Sequence, residues 1–162
     1  MGYRENVSTE LVVKTMTDLV SSYHSTNDET EQKWIKNLIQ QGCRKLEDFI
    51  TPRVSVKAQE LADEMGIGDL SQYGWSDQKS KMKDPDRSLF HFEHVLTVSD
   101  LVDRLLNLGD SPSYESVKSI IEKADVAWIL KSEDQLLNEK GFKIQRPENP
   151  LDAYEVCGIE LV

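Results

Sequence analysis

The sequence predicts an α+β fold, mainly helical, with a small sheet of two or three strands. Apolar residues recur at helical spacing through most of the chain, two short segments resemble buried strands, and no internal repeat is found in the 162 residues. A chain of this length can bury a sizeable core without disulfides. We therefore expect one domain over 1–162, with a helical part over 1–66, a loop over 67–88 and a sheet-containing part over 89–162.

The helical part is predicted by three apolar stripes. The first spans residues 11–23 and the second spans 34–50, with a polar segment between them and Thr51-Pro52 after the second. The third spans 58–65 and stops at Gly66. Each stripe predicts one amphipathic helix.

A polar, turn-rich segment separates these helices from the rest of the chain. Residues 67–88 have the length of loops that are functional or mobile. The aromatic segment 89–96 follows directly and is short enough for a strand, and 126–130 has the pattern of a second, buried strand. Two helices around 101–106 and 117–124 are expected between these strands.

The C-terminal residues predict short elements. Ser132 and Gln135 form a capping box for a helix that ends at Gly141. Residues 142–146 are expected to be extended, and Asn149-Pro150 begins a last helix. Three large aromatic residues lie on apolar stripes and are therefore expected in the core, namely Trp34, Trp128 and Tyr154.

The charge of the chain limits its partners. It has 29 acidic and 19 basic residues, a formal charge of −10, which repels phosphate and argues against broad non-specific binding of nucleic acid. A nucleic-acid enzyme would need a local basic patch. The dense candidate is Lys79, Lys81, Lys83 and Arg87, for which ordinary surface lysines on a solvated loop are the alternative.

Cysteine usage and hydropathy indicate the compartment. Cys43 and Cys157 are too few for a disulfide scaffold and lack CxxC spacing. No apolar run is long enough to span a bilayer, and the first residues have no apolar core typical of a signal peptide. We therefore expect a cytoplasmic protein without a membrane partner.

The most unusual chemistry is in His91-Phe92-Glu93-His94, which contains two of the three histidines. Imidazole titrates near neutral pH, and a neighbouring carboxylate binds a cation or orients the ring, as a general base or metal site requires. On a regular strand His91 and Glu93 share one face and His94 lies on the other. Glu93 and His94 can therefore serve one site only where the strand ends.

Glu93-His94-Val95, followed later by Asn138, resembles the motif of the His-metal (HNH-like, ββα-metal) endonucleases over 90–147. The resemblance implies that Glu93 and Asn138 bind a metal and that His94 is the general base, with 126–130 as the second strand and 133–140 as the helix. His91 is a second candidate catalytic residue.

The resemblance also implies the cofactor and the reaction, which are Mg²⁺ or Mn²⁺ and hydrolysis of DNA phosphodiester bonds. The substrate backbone would then be held by basic residues near the motif, namely Lys79, Lys81, Lys83, Arg87 and Arg146.

Other interpretations remain open. The histidine segment can be packed and hydrogen-bonded core, or a zinc site formed by His91, His94 and a distant ligand such as His24, with Glu93 as base. The main functional alternative is a non-catalytic acidic interaction protein, for example a DNA mimic or anti-defence inhibitor that binds a nucleic-acid-binding protein. A second copy of the chain is a further candidate partner.

Overall fold

The computed structural model describes residues 8–162, and over this range the chain is mainly helical with a three-stranded mixed sheet. The predicted α+β class is therefore confirmed. In chain order the elements are α1 (Thr9–Ser25), α2 (Glu29–Lys45), β1 (Arg53–Val54), α3 (Val56–Glu64), β2 (Phe90–His94), α4 (Val98–Leu106), α5 (Tyr114–Ile121), β3 (Val126–Leu130), α6 (Lys131–Glu139) and α7 (Asp152–Val156).

Contacts along the chain divide it into two compact units. The first contains the described residues up to Phe49 together with Val98–Ala124, and the second contains Ile50–Thr97 and Asp125–Val162. A single domain over 1–162 stays a prediction. Among the described helices, none has the length and apolar character needed to cross a membrane.

The first unit is a helical assembly in which α1 packs on α2 and α5, and α2 packs on α4. Ser8 and Asp28 cap α1 and α2 by accepting backbone N–H groups of the first turn. Gly42 allows close packing, because a Cβ there would overlap the end of the Met16 side chain. A short 3₁₀ turn, Leu46–Phe49, follows α2, so this helix ends earlier than its apolar stripe predicts.

The prediction that Trp34 lies in the core is wrong, since this side chain is 64% exposed. The buried positions of α2 are Ile39 and Cys43. Trp34 precedes Ile39 by five residues, which places it about 140° away around the helix, towards solvent.

The second unit is built on a sheet with strand order β1-β3-β2. Strand β3 is central, parallel to β1 and antiparallel to β2. One face packs Phe90, Phe92 and Trp128 with α3, and the other packs Ala127 and Ile129 with residues of α6 and α7. Trp128 and Tyr154 are buried, as predicted.

The start of α6 differs from the predicted capping box. The helix begins at Lys131, and the Glu133 carboxylate accepts the Leu130 N–H at 2.9 Å and the Ser55 hydroxyl at 2.6 Å. Glu133 is 3% exposed, so the buried carboxylate has two donors and joins α6 to the start of α3.

The extended piece predicted over 142–146 is also wrong, because residues 142–144 form a turn and 145–146 belong to no strand. Gly141 adopts a φ of +84° and ends α6, and the Phe142 N–H bonds to the Leu137 carbonyl at 2.9 Å. This C-terminal cap turns the chain back towards the sheet instead of extending it.

The second half of the 67–88 segment is bonded to β2 by two buried polar side chains, Gln78 and Asp84. Asp84 accepts the N–H groups of Ser88, Leu89 and Phe90, and the Gln78 amide donates to Asp84 and to the Phe90 carbonyl. The loop is thereby bonded to the first residue of β2, immediately before the histidine segment.

Candidate metal site

Strand β2 places two site residues on one face of the sheet. Regular pairing with β3 continues to its last residue, with Glu93 opposite Ala127 and His94 opposite Val126. Side chains therefore alternate, and His91 and Glu93 point to the face covered by α6 and α7. The opposite face of β2 contains Phe90 and Phe92 in the core.

Asp134 completes a cluster of three potential ligands. It lies in the first turn of α6, directly after β3. His91 Nε2 is 2.7 Å from Glu93 Oε2 and 3.6 Å from Asp134 Oδ1. One ligand atom from each residue lies within 4.8 Å of the others, and all three side chains are half-buried. The cluster of His91, Glu93 and Asp134 could hold a metal ion.

Arg146 fixes the position of the Glu93 carboxylate. Its Nη2 forms an ion pair with Glu93 Oε1, and its Nε donates to the Val95 carbonyl at 3.2 Å. The Arg146 side chain is 1% exposed, and its guanidinium carbon lies 5.8 Å from the centre of the Tyr154 ring. One carboxylate oxygen of Glu93 is thus held by arginine, and the other faces His91.

The buried Tyr154 side chain lies beside Arg146 and Glu93. Burial raises the pKa of its phenol far above the usual range, and the negative charge of Glu93 raises it further. The phenol therefore stays neutral at all physiological pH values and takes no part as a base.

Lys131 determines the tautomer of His91. Its Nζ lies 3.2 Å from His91 Nδ1. An ammonium group only donates hydrogen bonds, so we assign Nδ1 as the accepting nitrogen. The ring proton is then on Nε2, where it is donated to Glu93 Oε2.

The structure separates the predicted site residues. His94 alternates to the face opposite Glu93, so the metal ligand and the general base predicted from the resemblance are not neighbours on one face. Asn138 lies one turn after Asp134 and donates to its Oδ1 at 3.5 Å. Asn138 is therefore beside the cluster, in contact with Asp134, and its role as a metal ligand stays a prediction.

Most of the predicted basic residues have contacts inside the protein. Lys81 pairs with Asp77 at 2.9 Å, and Lys83 donates to the Met65 carbonyl at 3.0 Å. The Arg87 guanidinium lies 3.7 Å from the centre of the Trp75 ring. Lys79 remains exposed. The phosphate contact predicted for Arg146 is corrected, because its buried side chain holds Glu93 instead.

His24 belongs to the first unit, where its Nε2 lies 2.8 Å from the Leu106 carbonyl oxygen. The described metal cluster does not include it.

Sequence reasoning missed Asp134 and Lys131. Both lie within four residues after β3, at the start of α6. The sequence pattern of a strand followed directly by a helix could have identified them. Comparisons with family models, curated proteins and solved structures gave no match for this chain.

Proposed function

We propose that this chain is a metal-dependent endonuclease whose metal is bound by His91, Glu93 and Asp134. The observation that carries the proposal is the convergence of these three side chains on one face of the sheet. Three ionisable groups of complementary type, partly buried and in mutual reach, are typical of a metal site.

The ligand set favours a divalent ion. Two carboxylates suit Mg²⁺ and Mn²⁺, and the imidazole nitrogen makes Mn²⁺ or Zn²⁺ a better match than Mg²⁺. Such an ion supplies an activated water and neutralises the charge that develops on a phosphodiester during hydrolysis.

The order of elements also supports a nuclease. Antiparallel strands β2 and β3 are followed by α6, which contacts both strands. This is the order that the resemblance to the ββα-metal nucleases implies, although α4 and α5 lie between the two strands in sequence. DNA is the substrate that the resemblance suggests.

A cleavage assay tests the proposal. Purified protein is incubated with duplex DNA, single-stranded DNA and RNA, with Mn²⁺, Mg²⁺, Zn²⁺ or EDTA. We expect metal-dependent cleavage that Asp134→Asn lowers by about 100-fold or more, because a ligand is lost. The matched control is Glu139→Gln, at the end of α6, which should change the rate by less than about fivefold because this exposed carboxylate is not in the cluster.

The structure does not test the general-base role that the resemblance implies for His94, and the same assay distinguishes it from a packing role. A positioned base contributes about two to four orders of magnitude. Because His94 lies across the sheet from the cluster, we expect His94→Ala to lower stability instead of the catalytic rate.

A non-catalytic interaction protein is the second candidate function. The observation that favours it is the exposure of two large apolar side chains, Leu11 of α1 at 55% and Trp34 of α2 at 64%. Absence of cleavage on all three substrates with every metal would favour this alternative over the nuclease.

A further inference from the structure

We propose that Lys131 is the phosphate-binding residue of this site and that metal binding releases it from His91. The inference rests on the metal site of the proposed function and adds the group that recognises the anionic substrate.

The tautomer of His91 supports the release. In the structure His91 Nδ1 lies 3.2 Å from Lys131 Nζ and Nε2 lies 2.7 Å from Glu93 Oε2, so we assign the ring proton to Nε2. A metal held between His91, Glu93 and Asp134 must use Nε2, since that is the nitrogen facing both carboxylates. Neutral imidazole has one ring proton, which then resides on Nδ1 and points at the Lys131 ammonium. Two donors cannot share this contact, so Lys131 must leave.

The charges around the site also favour release of Lys131 from His91 and binding of an anion. In the structure Arg146 pairs with Glu93, and the Lys131 ammonium contacts His91, the third member of the cluster. A divalent ion neutralises both carboxylates by itself, and buried Arg146 then adds one positive charge. The metal-bound site is thus net positive, which suits an anionic ligand.

Lys131 is placed to bind that ligand. Its backbone N–H is bonded to the Leu89 carbonyl at 2.9 Å, so its main chain is fixed at the start of α6. The side chain is exposed and can rotate from His91 towards a group at the metal. A compact ammonium donor at this position matches a phosphate oxygen.

The experiment follows His91 and two ligands separately. Proton–nitrogen NMR of ¹⁵N-histidine-labelled protein reports the tautomer, and calorimetry measures binding of Zn²⁺ and then of inorganic phosphate to the Zn²⁺-loaded protein. We expect His91 to change from Nε2–H to Nδ1–H when Zn²⁺ binds. Lys131→Met should bind Zn²⁺ about threefold more tightly, because a competing contact is lost. It should bind phosphate about tenfold more weakly, because a charged hydrogen bond is lost.

Lys140→Met, at the other end of α6, is the matched control and should change neither affinity. A metal-free protein with the proton on Nδ1, or a Lys131→Met variant with wild-type affinities for both ligands, would overturn the inference while leaving the metal site intact. A wild-type protein that binds no Zn²⁺, Mn²⁺ or Mg²⁺ would overturn the proposed function and this inference together.

Discussion

At the residue scale, the geometry of the site depends most on Arg146. Its guanidinium is buried, pairs with Glu93 and donates to the Val95 carbonyl, so it sets where the Glu93 carboxylate can point. An arginine before a proline, as in Arg146-Pro147, is more often found on a surface turn. The turns after α6, which bring this residue beneath the sheet, are a tertiary feature that local sequence does not encode.

Arg146→Met should therefore destabilise the protein by about 3 to 5 kcal/mol, because it leaves the Glu93 carboxylate without its buried partner. Urea unfolding measures the change, and exposed Lys143→Met is the control. The double variant Arg146→Met, Glu93→Gln should recover part of the loss, since no unpaired charge remains. A loss below about 1 kcal/mol for Arg146→Met would show that the pair is solvated.

The metal cluster was only partly predictable from residues. The alternation of a strand places His91 and Glu93 on one face, and sequence alone shows this. To predict Asp134 as a ligand, one must know that β2 pairs antiparallel with β3, which lies more than thirty residues later. Asn138 and Asp134 are one helical turn apart and in contact, so the predicted ligand lies next to the one in the cluster.

At the element scale, Asp84 and Gln78 join the loop before β2 to the sheet. Burial would raise the pKa of Asp84, but donors from Phe90, Gln78, Ser88 and Leu89 together outweigh it and hold the pKa below its usual range. The charged carboxylate therefore stabilises the folded state.

Because the pKa of Asp84 is lowered, its contribution to the stability of the folded state should be lost at low pH. A depressed folded-state pKa gives stability that is present above the unfolded-state pKa of about 3.9 and is lost as pH falls through the folded-state value. Asp84→Asn should cost about 2 to 3 kcal/mol at neutral pH because charged hydrogen bonds are lost. The difference in unfolding free energy between Asp84→Asn and wild type should become smaller as the pH is lowered towards about 3.

Urea midpoints measured across this pH range test the prediction. Asp86→Asn, two residues away and exposed, is the matched control and should follow wild type. A deficit that stays constant with pH would mean that Asp84 acts only through packing.

Elements with an apolar pattern of their own were predicted, including the five-residue strands β2 and β3, and strand β1 was not. Helices α1, α3, α4 and α5 coincide with apolar stripes in the sequence. Strand β1 has two residues, too few to form a pattern, and exists because it pairs with β3. The position of Trp34 was also decided by tertiary contacts, because only the helix residues that face neighbouring elements are buried.

At the scale of the whole molecule, acidic residues are spread rather than concentrated. Each of the seven described helices contains at least one aspartate or glutamate. This distribution is typical of a charged, soluble surface and gives no support to DNA mimicry. With a formal charge of −10, attraction to a phosphodiester must come from the site itself, which makes the metal the central element of the proposed function.

The most direct test of that claim is a Mn²⁺ titration followed by electron paramagnetic resonance, using two histidine variants. His91 and His94 are three residues apart on opposite faces of β2, so each is a control for the other. We predict that wild type and His94→Ala bind one Mn²⁺ per chain and that His91→Ala binds at least about tenfold more weakly. Equal Mn²⁺ binding by His91→Ala and wild type, or no binding by wild type, would contradict the metal site.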